Sequence, residues 1–127
     1  MKFPKRGLYA ITQTDNKSPD HVVREVEAAL RGGAVVIQYR DKNPLDAPSV
    51  ASRLLQVCHD HQAPLLINDS VELALQVGAD GVHLGRDDGD IAEARRRLGS
   101  DAIIGVSCYN DIGKAQTAVA AGADLAG

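Results

Sequence analysis

Gln38-Tyr39-Arg40-Asp41-Lys42 is the stretch with the clearest capacity for chemistry. Alternate residues of an extended chain share a side, so Gln38, Arg40 and Lys42 project together while Tyr39 and Asp41 project the other way. An amide, a guanidinium and an ammonium in one row suit a ligand rich in phosphate oxygens. A lone charge run is more often a solvated turn, so a binding site requires partners for it. Two carboxylates supply them. Asp69 follows Asn68, and Asp88 closes Gly85-Arg86-Asp87-Asp88. Both offer the hard oxygen ligands that Mg2+ takes, with waters and substrate phosphates filling its other positions. Each also lies just before an expected helix, where aspartate is an ordinary cap, and taken singly the two readings weigh about evenly. Asn68 and Ser107 add neutral hydrogen-bonding groups that can orient a substrate.

The elements that must position these residues alternate strand and helix. Ala34-Val35-Val36-Ile37, behind Gly32-Gly33, is an apolar run of the kind found in a strand covered on both faces. Strands are expected over 8–12, 35–40, 64–68, 81–85 and 102–107, with a sixth beginning at 124. Ser18-Pro19 reads as a cap with proline at the first helical position, opening a helix through 30. Further helices are expected over 49–61, 71–77, 90–98 and 111–121. Three junctions, at 30–35, 77–82 and 121–125, each end a helix on glycine and pass a small residue into a strand, a tight return built on glycine's left-handed freedom. Short repeated βα units without insertions favour a (β/α)8 TIM barrel over an open doubly wound sheet. The carboxyl ends of all strands then lie around one rim, which gathers Gln38, Arg40, Lys42, Asn68, Asp69, Asp88 and Ser107.

A complete barrel of this kind takes roughly 200 residues or more. The 127 residues hold about five βα units and the start of strand six, so the expectation is a single, C-terminally truncated barrel domain over 1–127. With Phe3 and three tyrosines as its aromatic residues, the core must be built from Ala, Val, Leu and Ile. The net charge of -3 is spread among interspersed acids and bases, with no basic stripe for nucleic acid and no pattern for an anionic membrane surface. No apolar run approaches the roughly 20 residues that span a bilayer, and the first six residues lack the apolar segment of a signal peptide. The cytoplasm is the expected compartment. Cys58 and Cys108 have no metal-type spacing and are expected to be free thiols.

Gln-x-Arg-Asp-Lys, Ile-Asn-Asp, Gly-Ala-Asp-Gly-Val-His-Leu-Gly-x-x-Asp and Ile-Ile-Gly-Val-Ser stand here in the order and spacing of the thiamine-phosphate synthase family, which the chain resembles from residue 8 to 127. The resemblance implies a TIM-barrel transferase of thiamine biosynthesis. Such an enzyme joins 4-amino-2-methyl-5-(diphosphooxymethyl)pyrimidine to a thiazole phosphate and releases diphosphate. It implies that Gln38, Arg40 and Lys42 hold the pyrimidine diphosphate, with Asn68 and Ser107 beside it. It further implies that Asp69 and Asp88 bind Mg2+. The family reaction is described as dissociative, with diphosphate leaving before the thiazole nitrogen captures a pyrimidine carbocation. That chemistry needs charge stabilisation on the leaving group and no activated nucleophile.

No nucleophile is expected here. Cys108 follows Ser107 on the opposite parity and has no link to His83, which reads as a packed, hydrogen-bonded core residue between Val82 and Leu84. His21, His59 and His61 read as helix-surface residues, and the last two lack the spacing of a helical metal pair. Tyr39 and Arg86 depart from the leucine and glutamine common in the family. The family's later glycine-rich loop, with the threonine and lysine that hold the thiazole phosphate and diphosphate, has no counterpart in these residues, so weak turnover is expected of this chain alone. An open partial barrel leaves strand edges unpaired, which favours self-association and makes a homo-oligomer one expected state. Two other readings stand beside the synthase: a thiazole tautomerase-like isomerase, which would not call for a diphosphate site, and a non-catalytic fragment that binds phosphate ligands.

Overall fold

The computed structural model describes residues 8–41, 46–85, 88–106 and 125–126, with backbone alone at 88–90 and 125–126. In chain order the elements are β1 (Leu8–Ile11), α1 (Pro19–Arg31), β2 (Ala34–Tyr39), α2 (Ala47–Asp60), β3 (Leu65–Asn68), α3 (Val71–Val77), β4 (Gly81–Leu84), α4 (Asp88–Leu98), β5 (Ile103–Val106) and β6 (Leu125–Ala126). The helix expected over 111–121, and the junction before β6, lie outside the described residues.

The helices start where short polar side chains satisfy their first amides. Ser18 accepts from the His21 N–H, with Pro19 opening α1. Asp46 accepts from the Ser49 N–H, so α2 begins two residues earlier than the expected 49 and takes Pro48 into its first turn. Ser70 accepts from the Leu73 N–H and caps α3. At the other end of α3, Gly78 is left-handed, with φ of 74°. The return after α1 differs from expectation. Gly32 has φ of −81° and closes the last turn, and it is Gly33, at φ of 109°, that reverses the chain.

All neighbouring strands run parallel, and their order across the sheet is β1-β2-β3-β4-β5-β6. Each strand lies beside the next in sequence, with no reversal of order. A doubly wound sheet reverses at a switch point, whereas the wall of a (β/α)8 barrel does not, so the sheet is a segment of a TIM barrel that is not closed over the described residues. Strands β2 to β5 are buried on both sides. Ile37, Leu65, Ile67, Val82 and Ile104 join the helix residues Leu54, Cys58, Ile91 and Ala94 in the main core. Val36, Leu66 and Ile103 form a smaller cluster on the inner face. The aliphatic core follows from the composition, since aliphatic residues fill the shallow space between helix and parallel strand.

The amino-terminal ends of the strands are tied by Asp80. Its carboxylate accepts from the Leu65 N–H at 2.8 Å, its N–H donates to the Leu65 carbonyl, and its carbonyl accepts from the Ile103 N–H. His59 Nε2 donates to the same carboxylate at 2.9 Å. His59, exposed on α2 as expected, thereby also links that helix to the sheet. His61 is likewise exposed, at the end of α2.

Candidate active site

The carboxyl end of the sheet is assembled by alternation and register. In β2 the buried Tyr39 belongs to the helix-side core, and its hydroxyl donates to Asp41 Oδ2 at 3.1 Å. Tyr39 and Asp41 thus share a side, and Gln38 and Arg40 take the other. Burial, the bond to Asp41 and the charges of Asp41 and Asp46 hold the Tyr39 phenol well above its ordinary range. Gln38 lies opposite Leu66 of β3, one pleat from Asn68. That register lets Gln38 Nε2 donate to Asn68 Oδ1 at 2.9 Å, with the amide orientations assigned from this network. Asn68 Nδ2 in turn lies 3.4 Å from Asp69 Oδ2, a weak donation.

Asp69 leaves β3 in the left-handed region, with φ of 58°, a conformation that aspartate tolerates better than most side chains. Its N–H donates to the His83 carbonyl of β4 at 2.9 Å, which anchors the turn while the carboxylate stays exposed. Ser70 caps α3, so the capping explanation for Asp69 does not hold. A cleft of about 390 Å³ opens beside it, lined in part by Val71, Leu84, Gly85 and Arg97.

His83 pairs in register with Asn68 on one side and Gly105 on the other. It is half-buried, and a Cβ on Gly105 would stand 2.8 Å from its Nδ1, so glycine is what leaves room for the ring. Burial lowers its pKa, with the Asp69 carboxylate opposing, and the neutral imidazole is favoured. The expected core histidine is thus a partly accessible neighbour of the site. No local signal marks this role, because Val82 and Leu84 on either side face the core.

Arg40 is exposed, one residue beyond β2. Asp88 is the first residue of α4, two residues before the expected helix start, and its side chain is not described. Lys42 and Ser107 lie outside the described residues, as does Arg86. Among the described residues the structure therefore brings Gln38, Asn68 and Asp69 together, with Arg40 at the same strand ends. No group of three or more His, Cys, Asp or Glu among them could hold a metal ion. Asp69 instead offers a single hard carboxylate, the kind of contribution Mg2+ accepts when phosphates and waters complete its shell.

The thiamine monophosphate synthase family model matches residues 8–127. The chain belongs to the thiamine monophosphate synthase family. It is 50% identical over 126 residues to the thiamine-phosphate synthase of Nitrosococcus oceani, covering 98% of this chain and 58% of that one. The Chromobacterium violaceum thiamine-phosphate synthase is 53% identical over 119 residues, 92% of this chain and 57% of that one. The solved thiamine phosphate pyrophosphorylase of Pyrococcus furiosus superposes with a TM-score of 0.81 at 37% identity, over 94% of this chain and 58% of that chain. This member of the thiamine monophosphate synthase family thus spans a little under three fifths of the relatives' length, and its sequential parallel sheet is the matching arc of their fold.

Proposed function

We propose that this chain forms the pyrimidine-diphosphate and Mg2+ side of a thiamine-phosphate synthase. In this reading the transferase joins 4-amino-2-methyl-5-(diphosphooxymethyl)pyrimidine to 4-methyl-5-(2-phosphooxyethyl)thiazole and releases diphosphate. The observation that carries the reading is the Gln38–Asn68 hydrogen bond, which fixes two amides beside the Asp69 carboxylate and next to Arg40. Arg40, with Lys42, would bind the diphosphate oxygens as charge grows on them. Gln38, Asn68 and Ser107 would orient the pyrimidine. Asp69 and Asp88 would hold Mg2+, whose contribution when bound is to neutralise charge on the leaving diphosphate. In the transfer, the bond between the pyrimidine methylene carbon and the diphosphate oxygen breaks with its electron pair on oxygen. The thiazole nitrogen lone pair then forms the new carbon–nitrogen bond. No side chain is asked to act as nucleophile.

The free Cys58 thiol suits a reducing compartment, and the cytoplasm is the proposed location. Calorimetric titration with the pyrimidine diphosphate tests the site without requiring turnover. Binding is expected to need Mg2+ and to weaken about tenfold or more in Arg40→Ala and in Asp69→Asn, in line with lost charge-assisted contacts. Unchanged affinity in both variants would remove the basis of the proposal. Mixing both substrates and Mg2+ with the 127-residue chain is expected to yield little thiamine phosphate, because the family's later lysine loop is not among these residues.

A further inference from the structure

Thr12 stands one residue past the end of β1 and is buried, at 9% exposure. Three hydrogen bonds join it to the end of β2. Its N–H donates to the Gln38 carbonyl at 3.0 Å. Its hydroxyl donates to the Arg40 carbonyl at 3.0 Å, and the Arg40 N–H donates back to the same oxygen at 3.0 Å. A single hydroxyl therefore takes both main-chain polar groups of the residue that leaves the strand. The paired register of the two strands ends at Ile11 opposite Gln38, so the hydroxyl extends the ladder by one further step where main-chain pairing stops. Threonine is β-branched and stiff about its first side-chain torsion, which holds the oxygen in one direction. On the far side of the same backbone, the Tyr39 hydroxyl binds Asp41.

We infer that Thr12 is a positioning residue for Arg40: its hydroxyl sets the backbone from which the guanidinium reaches the phosphate oxygens. The inference rests on the reading of Arg40 as a diphosphate ligand. Thr12 itself touches no substrate in this account. A preorganised guanidinium loses less conformational freedom on binding than one carried by a frayed strand end, so affinity should depend on the hydroxyl even though it is remote from the ligand.

The test uses the 127-residue chain and magnesium pyrophosphate as the calorimetric probe, with hydrogen exchange at the Arg40 amide as a readout that needs no ligand. Thr12→Val keeps the shape and removes the hydroxyl. It is expected to weaken binding about fivefold to tenfold and to speed exchange at Arg40. Thr12→Ser restores the oxygen and should stay within about twofold of the parent chain. In an Arg40→Ala background, Thr12→Val should cost nothing further, because the group it positions is gone. If Thr12→Val weakens binding equally in that background, Thr12 acts on its own and the positioning role is wrong. If Arg40→Ala binds as well as the parent, the diphosphate reading fails while the exchange data still judge the anchor. Rapid exchange of the Arg40 amide in the parent chain would overturn the anchor even if Thr12→Val failed to fold.

Discussion

Cys58 is fully buried, and burial, with a smaller contribution from the Asp80 charge, pushes its thiol up to about 12. The raised value makes a specific pH signature. Above the ordinary thiol value of 9.0 the unfolded chain releases this proton while the folded chain retains it, so stability falls as pH rises from 9 toward 12. The slope approaches ~1.4 kcal/mol per pH unit. The Tyr39 phenol is raised from 10.0 and adds a decline of its own at higher pH, so the thiol is best read between pH 9 and 10. Denaturant unfolding across that interval should show the decline in the parent chain and a flatter profile in Cys58→Ala. A profile equally steep in the variant would assign the loss to another group. At this scale the sequence was informative about which residues matter and less so about their surroundings. Alternation alone put Gln38 and Arg40 on one side and Tyr39 and Asp41 on the other, as the Tyr39–Asp41 bond bears out. The Asp80 charge that acts on Cys58 from far along the chain was not accessible to any local pattern.

The limits of β1 to β5 were the most legible, each within one residue of expectation, and helix limits were legible where a cap was read, because caps are local. Ser18-Pro19 marked the start of α1, and the limits of α3 agree with expectation. α2 starts earlier than expected because the Asp46 carboxylate caps it, a signal that apolar spacing does not carry. The Gly-Ala-Asp-Gly-Val junction was legible as a return, yet its third and fourth residues, Asp80 and Gly81, have tertiary roles. Gly81 is required because a Cβ there would fall 1.8 Å from the Ile103 carbonyl oxygen of β5. Asp80 ties three strands and α2. Asp80→Ala leaves the Leu65 amide and His59 without their carboxylate and should cost about 2–3 kcal/mol in urea denaturation, whereas Asp80→Asn keeps an acceptor and should cost less. Equal losses in the two variants would mean that one neutral acceptor does not replace the carboxylate, and that its charge or second oxygen carries the tie.

At the scale of the whole molecule, sequential strand order makes β1 an edge of the described sheet. Among the described residues β1 pairs with β2 alone, and Leu8, Tyr9 and Ile11 are 62%, 42% and 49% exposed. Edges of this kind template further strand pairing. The 127-residue chain is therefore expected to associate increasingly with concentration in sedimentation velocity, and Ile11→Lys, which sets a charge on that edge, should shift it toward monomer. A variant that associates like its parent would show that the contact lies elsewhere. The barrel class was legible from the repeated glycine junctions; that the strands are neighbours in chain order was an inference until the pairing was seen.

By itself the sequence determined the parallel α/β repeat, the aliphatic core and the polar strand ends at Gln38, Arg40, Asn68 and Asp69, because periodicity, capping and side-chain alternation act over a few residues. Tertiary structure decided what those ends do to one another. Gln38 and Asn68 are 30 positions apart, and Thr12 and Arg40 are 28 apart. Their hydrogen bonds exist because parallel register sets distant residues side by side, and a shift of one residue would turn each side chain to the opposite face.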